Sequence, residues 1–280
     1  MKTSTEFNSA AQIVGEERAV ELIAKAGFDA WDFSLYKMWK WDFDNQRPFE
    51  NNHPLGGREY LAHARKLKQI GVDNGIVCNQ SHAPFPTRFA GKDVLMRALE
   101  ITAEAGGKIC IIHPDNYAPV ERNAEMYFEI LPFAKQCDVK IATENMFNWD
   151  MEAYHALPAA CSSPESFMAH LNAVNDPDFV ACLDLGHSEL EVLGTSAVEM
   201  IETLGSKIQA LHIHDNNKRR DNHQIPGSAN IKFKPISKAL KSIGYNGYYT
   251  LEAYNHLKDF AKEDVLSGLS ELRESLNIFD

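Results

Sequence analysis

The sequence predicts a single-domain α/β protein of the (β/α)8 barrel class. A short strand-like run recurs about eight times, helical segments separate the runs, and a carboxylate or imidazole stands at the end of one run after another. At 280 residues the chain has the length of one such barrel, and one domain is expected over residues 1–280.

The strands are marked by what precedes them: a helix ending in glycine or a turn residue, then a strand within a few residues, as expected of helix C-caps in βα units. Ala26-Gly27-Phe28 leads into Ala30 to Leu35, Ile70-Gly71-Val72 into Gly75 to Cys78, Gly106-Gly107 into Lys108 to Ile112, and Cys137-Asp138 into Lys140 to Glu144. Phe179 to Asp184 follows Pro177, Ile208 to Ile213 follows Leu204-Gly205, and Tyr248 to Glu252 follows Ile243-Gly244. Lys2 to Phe7 supplies an eighth run at the start, and eight closes the barrel.

Between the runs, apolar residues recur at three and four: Val94, Leu95, Ala98 and Leu99 in one segment, and Ala261, Val265, Leu269, Leu272 and Leu276 in the last. Ile109-Cys110-Ile111-Ile112 and Val180-Ala181-Cys182-Leu183 are continuously apolar, the pattern of parallel strands buried on both faces. A doubly wound open sheet gives the same local patterns. The placement of polar residues favours the barrel.

Two connections are long, and both follow strands, so in a barrel both overhang the active face. Tyr36 to Gly57 carries Trp39, Trp41, Phe43 and Phe49, and Met146 to Pro164 carries Phe147, Trp149, Tyr154 and His155. They read as an aromatic lid over a small polar ligand or, equally, as a packing plug or a subunit contact. Trp39 and Trp149 are the candidate substrate contacts in them.

Hydrophobic residues make up 44% and charged residues 24%, typical of a globular chain able to bury a large core. The net charge of -11 disfavours nucleic acid as a partner, because the surface at large repels a phosphate backbone. Lys218-Arg219-Arg220 is the one obvious basic run; Arg219 there is a candidate contact to a substrate phosphate or carboxylate, against the plainer reading of a solvated turn. Five cysteines without a C-x-x-C pair read as buried thiols in a reducing cytoplasm. Met1 to Ala11 lacks the apolar core of a signal peptide, and no run approaches a membrane span.

The ends of the runs carry the chemistry. His82 stands just beyond the third, His113 after the fourth, Glu144 at the fifth, Asp184 at the sixth, His212 on the seventh and Glu252 on the eighth. His187 follows Asp184 by one tight turn, and Asp221 and His223 lie on the loop after the seventh run. In a barrel these ends meet around one axis. Four carboxylates gathered there would repel, and some would take up protons, unless a cation sat among them. Mixed carboxylate and imidazole donors suit zinc, manganese, iron or cobalt better than calcium. Singly, each residue has a plain role: His113 before Pro114 in a turn, Asp184 capping a helix, Glu252 in an ion pair. Their coincidence at equivalent positions favours a divalent-metal site.

Ala142-Thr143-Glu144-Asn145, Leu183-Asp184-Leu185-Gly186-His187, Leu211-His212-Ile213-His214-Asp215-Asn216, Asp221-Asn222-His223-Gln224-Ile225-Pro226-Gly227 and Thr250-Leu251-Glu252 together resemble the xylose-isomerase-like TIM-barrel superfamily, in its sugar phosphate isomerase/epimerase branch. The resemblance spans nearly the whole chain. It implies a main metal site of Glu144, Asp184, His212 and Glu252, with His187 beside the substrate and the two glutamates moving a proton at carbon. The metal-activated proton next to a carbonyl gives that chemistry its physical sense, with Glu144 and Glu252 as bases.

Zinc-dependent abasic-site endonucleases of the same superfamily are similar at nine positions, adding His82, His113, His187, Asp221 and His223 as further metal ligands, so one to three ions, zinc or manganese, are implied. Pro226-Gly227 is followed by Ser228-Ala229 where relatives show a further glycine, which leaves metal number and phosphate handling open. The leading expectation is an isomerase or epimerase of a small sugar, polyol or sugar phosphate, with a carbohydrate partner and, by the resemblance, a homo-oligomer. The alternatives are a dehydratase acting on a cyclic polyol or keto acid and a multi-zinc phosphodiester hydrolase.

Overall fold

The structure is a computed structural model that describes all residues except 43, 44, 46 and 50. Phe43, counted above among the aromatics of the first long connection, lies outside the described residues. Eight parallel strands form one sheet: β1 (Lys2–Glu6), β2 (Ala30–Ser34), β3 (Val77–His82), β4 (Ile109–Ile111), β5 (Lys140–Glu144), β6 (Phe179–Asp184), β7 (Ile208–His212) and β8 (Tyr248–Leu251). They pair in chain order, and β8 pairs with β1. The seam between β7 and β8 closes through one residue: Ile213 N–H donates to the Thr250 carbonyl and Ile213 O accepts from Glu252 N–H, each at 2.9 Å. The predicted (β/α)8 barrel is the observed fold.

Strand pleat sorts the side chains. In β2, Trp31 and Phe33 pack outward with Phe7 in an aromatic trio, ring centroids 4.9–5.3 Å apart, while Asp32 takes the alternate face. Full burial of an aromatic or aliphatic side chain contributes about 1.5–3 kcal/mol, so this outer layer carries much of the stability. The register Ser4–Thr250, Asp32–Gln80, Ser34–His82 and Asp184–His212 places polar residues at matched heights. Ile111, Ala142, Val180, Cys182 and Ala210 form a small apolar cluster separate from the main core. Opposite them, Ser4, Asn79, Gln80, Asp32 and Thr250 are joined by side-chain hydrogen bonds of 2.6–3.2 Å.

One strand and one helix differ most from expectation in their limits. The third strand runs to His82 rather than ending at Cys78, because Asn79, Gln80 and His82 are polar residues serving the barrel interior, where hydrogen bonds replace the apolar signal, and Ser81 on the outer face bonds to the Thr102 hydroxyl of the neighbouring helix. The last helix is Val265–Ser275, and Ala261 precedes it in extended conformation. Helix starts follow capping chemistry: Ser163 precedes Pro164 and accepts from Ser166 N–H at 3.2 Å, and Ser196 does the same with Glu199 N–H at 3.2 Å.

All five cysteines are free, and four are buried. No described helix is long and apolar enough to cross a membrane.

The first long connection is anchored away from the axis. Trp39 stacks on Trp41 and Trp41 on Phe89, centroids 5.6 and 5.5 Å apart. Its far end is fastened at Glu16, which faces Lys37 Nζ at 3.2 Å, His53 Nε2 at 3.1 Å and His63 Nε2 at 2.6 Å. His53 Nδ1 accepts from Leu55 N–H, so its Nε2 carries the proton and donates to Glu16. The second connection folds as a hairpin, Phe147–Asp150 against His155–Pro158.

Candidate active site

The C-terminal ends of the strands surround a cavity of about 530 Å³ whose lining includes His82, His113, Glu144, His187, Asp221, His223 and Glu252. Phe85, Tyr117 and Phe147, from the loops after β3, β4 and β5, add aromatic wall, and Phe85 stacks on His113 at 4.8 Å. Of the expected lid, the second connection supplies Met146, Phe147 and Asn148. Trp39, Trp149 and Arg219 are absent from the lining among the described residues. Trp39 is held in the outward stack, Trp149 packs edge-on to Phe147, and Arg219 borders a separate rim hollow with Lys218 and Arg220. Lys218 is neutralised by Glu189 at 2.9 Å, and Arg220 lies over Tyr154.

The ionisable residues divide into two groups. Glu144 centres the first. His113 Nε2 lies 3.0 Å and His82 Nε2 3.6 Å from Oε2, and His212 Nδ1 lies 2.9 Å from Oε1. His212 Nδ1 is also 3.6 Å from Glu252 Oε2. Glu252 Oε1 accepts the hydroxyl of Tyr254. Burial alone would raise Glu144, but the imidazoles of His212, His113 and His82 hold it well below the usual carboxylate range. His212 is driven well above its ordinary value: burial opposes the charge, and the surrounding carboxylates outweigh it.

Asp221 and Asp184 centre the second group. His223 Nε2 is 2.9 Å and His187 Nε2 3.5 Å from Asp221 Oδ2, and His214 Nε2 lies 3.2 Å from Asp221 Oδ1 and 3.1 Å from Asp184 Oδ1. Asp184 Oδ1 also accepts His187 N–H at 2.7 Å, capping the one-turn helix Leu185–Ser188, so the plain capping role and site membership coexist on one carboxylate. Burial works against charge at His187 and His223, yet Asp184 and Asp221 raise His187 well above its usual value and Asp221 raises His223 to about 9.

Backbone carbonyls set the tautomers. His187 Nδ1 meets the Asn145 carbonyl at 2.9 Å, His223 Nδ1 the Glu252 carbonyl and His214 Nδ1 the Asp215 carbonyl at 3.3 Å, so each Nδ1 is the N–H donor. That leaves all three Nε2 lone pairs directed at carboxylate oxygens. His82 repeats the pattern with the Ala83 carbonyl at 3.1 Å. His212 reverses it: Nε2 faces Asp32 Oδ2 at 3.2 Å and Nδ1 faces the glutamates. Imidazoles tied at one nitrogen to a carbonyl or carboxylate, with the other aimed inward, are the arrangement that orients metal ligands. Lone pairs opposed to carboxylates require a positive charge between them, either protons, as the raised values of His187 and His223 express, or a cation.

Asp184 Oδ2, His214 Nε2 and Asp221 Oδ1 are moreover buried without a hydrogen-bond partner among the described residues. Such orphans are costly unless something else satisfies them. The donor set therefore fits a divalent ion, and His187, His214, Asp221 and His223, like His82, His113 and Glu144, bring one ligand atom each within 4.8 Å of the others.

This grouping redraws the expected four-residue site. Glu144, His212 and Glu252 meet as anticipated, whereas the nearest imidazoles to Asp184 are His214 and His187 of the second group. The cause is His214, which wedges beside Asp184 because Gly186 has no side chain; a Cβ there would lie 2.0 Å from His214 Cε1. His214, Asp32 and Tyr254 were missed in the sequence. His214 had a signal, since it lies two residues after His212 and so on the same strand face. Asp32 had only its period-two spacing in Trp31-Asp32-Phe33. Asp215, between the groups in sequence, instead accepts N–H bonds from Gly227, Ala229 and Ile231 at 2.9–3.0 Å and organises the loop that carries Asp221 and His223.

A sequence model of the family described as "Xylose isomerase-like TIM barrel" matches residues 20–276. The uncharacterized protein MJ1311 of Methanocaldococcus jannaschii is 25% identical over 275 residues, covering 91% of this chain and 84% of that protein. Among solved structures, a D-tagatose 3-epimerase-like protein superposes with a TM-score of 0.71 at 22% identity, covering 100% of this chain and 98% of the other. A D-psicose 3-epimerase studied in the presence of D-fructose gives 0.69 at 18%, covering 99% and 97%. The IOLI protein with a binding zinc atom gives 0.70 at 17%, covering 100% and 98%. With the match over residues 20–276 and the barrel and its ring of strand-end carboxylates and imidazoles described above, the chain belongs to the xylose isomerase-like TIM barrel family.

Proposed function

We propose that the protein is a metal-dependent isomerase or epimerase of a small sugar, polyol or sugar phosphate, working by proton transfer at a carbon next to a carbonyl. The observation that carries this reading is the pair Glu144 and Glu252, both on the cavity lining and both facing His212 Nδ1, at 2.9 and 3.6 Å. A bound divalent ion supplies Lewis acidity, polarising the substrate carbonyl and lowering the cost of removing the adjacent proton. Glu144, Glu252, His212, His82 and His113 are the residues that would hold it at the first group, with Asp184, His187, His214, Asp221 and His223 forming the second set of donors.

The chain's own groups do the rest. Glu144, held ionised by its imidazoles, is a carboxylate base at neutral pH. Glu252 is steadied by Tyr254, whose own hydroxyl stays protonated: burial raises it, and Glu252 raises it further. One glutamate withdraws the proton and the other, or the first again, returns it; return on the opposite face epimerises the carbon, and return to the neighbouring carbon isomerises the substrate. His187 on the lining orients substrate hydroxyls, and Phe85, Phe147 and Tyr117 give the cavity an aromatic wall.

The test is a metal-loaded assay in D2O against ketoses, aldoses, inososes and their phosphates, reading deuterium incorporated at carbon. Exchange with at least one of them, abolished in Glu144→Gln, is the expected result; no exchange with any panel member after reconstitution with zinc and with manganese removes the proposal. The second donor set favours one competing reading, a multi-metal phosphodiester hydrolase. Cleavage of an abasic-site duplex without sugar exchange would establish it instead.

A further inference from the structure

Beside the catalytic cavity, and sharing Arg88 and Asp115 with it, lies a second hollow of about 290 Å³. The helical segment Thr87–Ala105 forms one wall, and it is not continuous. Gly91, at φ 72° and ψ 163°, breaks it in a conformation that is essentially glycine's alone, and helix restarts at Lys92. The run 92–105 thus begins a fresh first turn at the hollow, with N–H groups that have no partner inside the helix and the positive end of its dipole. Thr87, on the same wall, is 4% exposed, and its hydroxyl has no hydrogen-bond partner among the described residues.

Three cations border the hollow: Arg88, Lys92 and Arg122. Arg122 is engaged by Glu125 at 2.6 Å. Lys92 has no ion-pair partner among the described residues, and the Arg88 guanidinium rests over the Tyr117 and Phe89 rings at 4.5 and 4.9 Å, which fixes its position while leaving its N–H groups free of a carboxylate. Asp115, the shared carboxylate, accepts Tyr117 N–H at 3.1 Å; Glu129 stands exposed at the rim.

An orphaned hydroxyl, a restarted helix and an unpaired lysine and arginine are the ingredients of a phosphate site. The floor of the catalytic cavity carries the carboxylates and imidazoles that would hold the ion and the reacting end of the substrate, and Arg88 is the one lysine or arginine among the described residues lining it. The remote end of a phosphorylated substrate therefore meets Arg88 as its one lysine or arginine partner in that cavity.

We propose that this hollow seats a phosphate ester carried by the substrate at the end remote from its reacting carbonyl, with Arg88 bridging the two cavities and Lys92 and Thr87 completing the phosphate contacts; the assignment rests on the isomerase or epimerase reading above. It makes the protein an enzyme of sugar phosphates rather than of free sugars.

Two measurements on the metal-loaded protein test it. In the first, KM and kcat for a sugar phosphate and for the matching free sugar are compared between the parent and Arg88→Ala, Lys92→Ala and Thr87→Val. The expected result is a KM for the phosphate raised by roughly tenfold or more at Arg88 and Lys92, less at Thr87, with the free-sugar KM unchanged at Lys92 and Thr87 and changed less than the phosphate KM at Arg88. In the second, inorganic phosphate is titrated calorimetrically, which needs no turnover; binding is expected in the parent and lost in the Arg88→Ala, Lys92→Ala double variant.

Equal KM changes for both sugars overturn the proposal. So does phosphate binding that survives the double variant. Phosphate that binds here without competing with the sugar phosphate assigns the hollow to a separate phosphate-bearing effector and overturns its role as a substrate subsite. If no sugar is turned over, the reaction proposed above fails, and the titration still shows whether the anion site exists.

Discussion

The Glu144 group and the Asp221 group sit side by side at one rim, yet they satisfy their charges differently. Around Glu144, both oxygens face imidazole nitrogens, and His212 is steadied from behind by Asp32. Around Asp221 and Asp184, three buried polar atoms have no hydrogen-bond partner among the described residues, against one, Asp32 Oδ1, behind the Glu144 group. A third cluster of the same residue types, Glu16 with His53 and His63, is settled by the Lys37 ammonium and by a proton fixed on His53 Nε2. Residue type alone therefore does not mark a metal site. What separates both rim groups from the Glu16 cluster is that their carboxylates face imidazoles alone, with no lysine or arginine paired to them among the described residues.

The largest effect that would sharpen this contrast is at Glu144. Glu144→Gln removes the charge around which His82, His113 and His212 gather, and solvent exchange at carbon should fall by at least about a thousandfold, measured by deuterium incorporation. Next, Asp221→Asn or His214→Ala should lower the affinity of the second group for zinc by about 10–100-fold while sparing the first, measured by metal content after dialysis against a weak chelator. Loss of all bound metal in either variant would erase the distinction between the groups.

Smaller is the effect of Gly186→Ala. Its Cβ would press on the His214 ring, at an expected cost of about 1–3 kcal/mol in denaturant unfolding together with weaker metal retention at the second group alone. Unaltered stability would mean that the ring is not wedged there.

The smallest effect belongs to the control cluster. Burial would raise Glu16, yet His63, Lys37 and His53 bring it down to about 2. A carboxyl depressed on folding contributes stability that is present above its unfolded value and lost as pH falls from about 4.5 toward about 2. Allowing for the solvent that reaches the cluster, Glu16→Gln should cost about 1–2 kcal/mol at pH 7, with the difference from the parent vanishing near pH 2 and chelators without influence on it. Chelator sensitivity would move Glu16 among the metal donors.

The barrel was most legible where its wall is apolar. Ile109-Cys110-Ile111-Ile112 and Phe179 to Asp184 announce themselves because hydrophobicity on both faces is the signal that strand reading uses. It was least legible in β1 and β3, where Ser4, Asn79, Gln80 and His82 exchange hydrogen bonds or face donors inside the barrel, so the alternation that betrays a strand is missing. The same cause divided the site. Strand-end residues Glu144, Asp184, His212 and Glu252 could be found by walking to the end of each run, and His82, His113, His187, Asp221 and His223 by their order after it. Asp32 lies in mid-strand, and His214 stands two residues past the end of β7. Which nitrogen of which imidazole points inward depends on carbonyls such as those of Asn145 and Glu252, whose direction no side-chain pattern encodes.

Ile213 joins β7 to β8, and its flanking residues, His212 and His214, belong one to each donor group. The last stitch of the cylinder and two of the candidate metal donors are thus three consecutive links of one chain, so the backbone bonds that close the barrel at Ile213 also set where both rings begin.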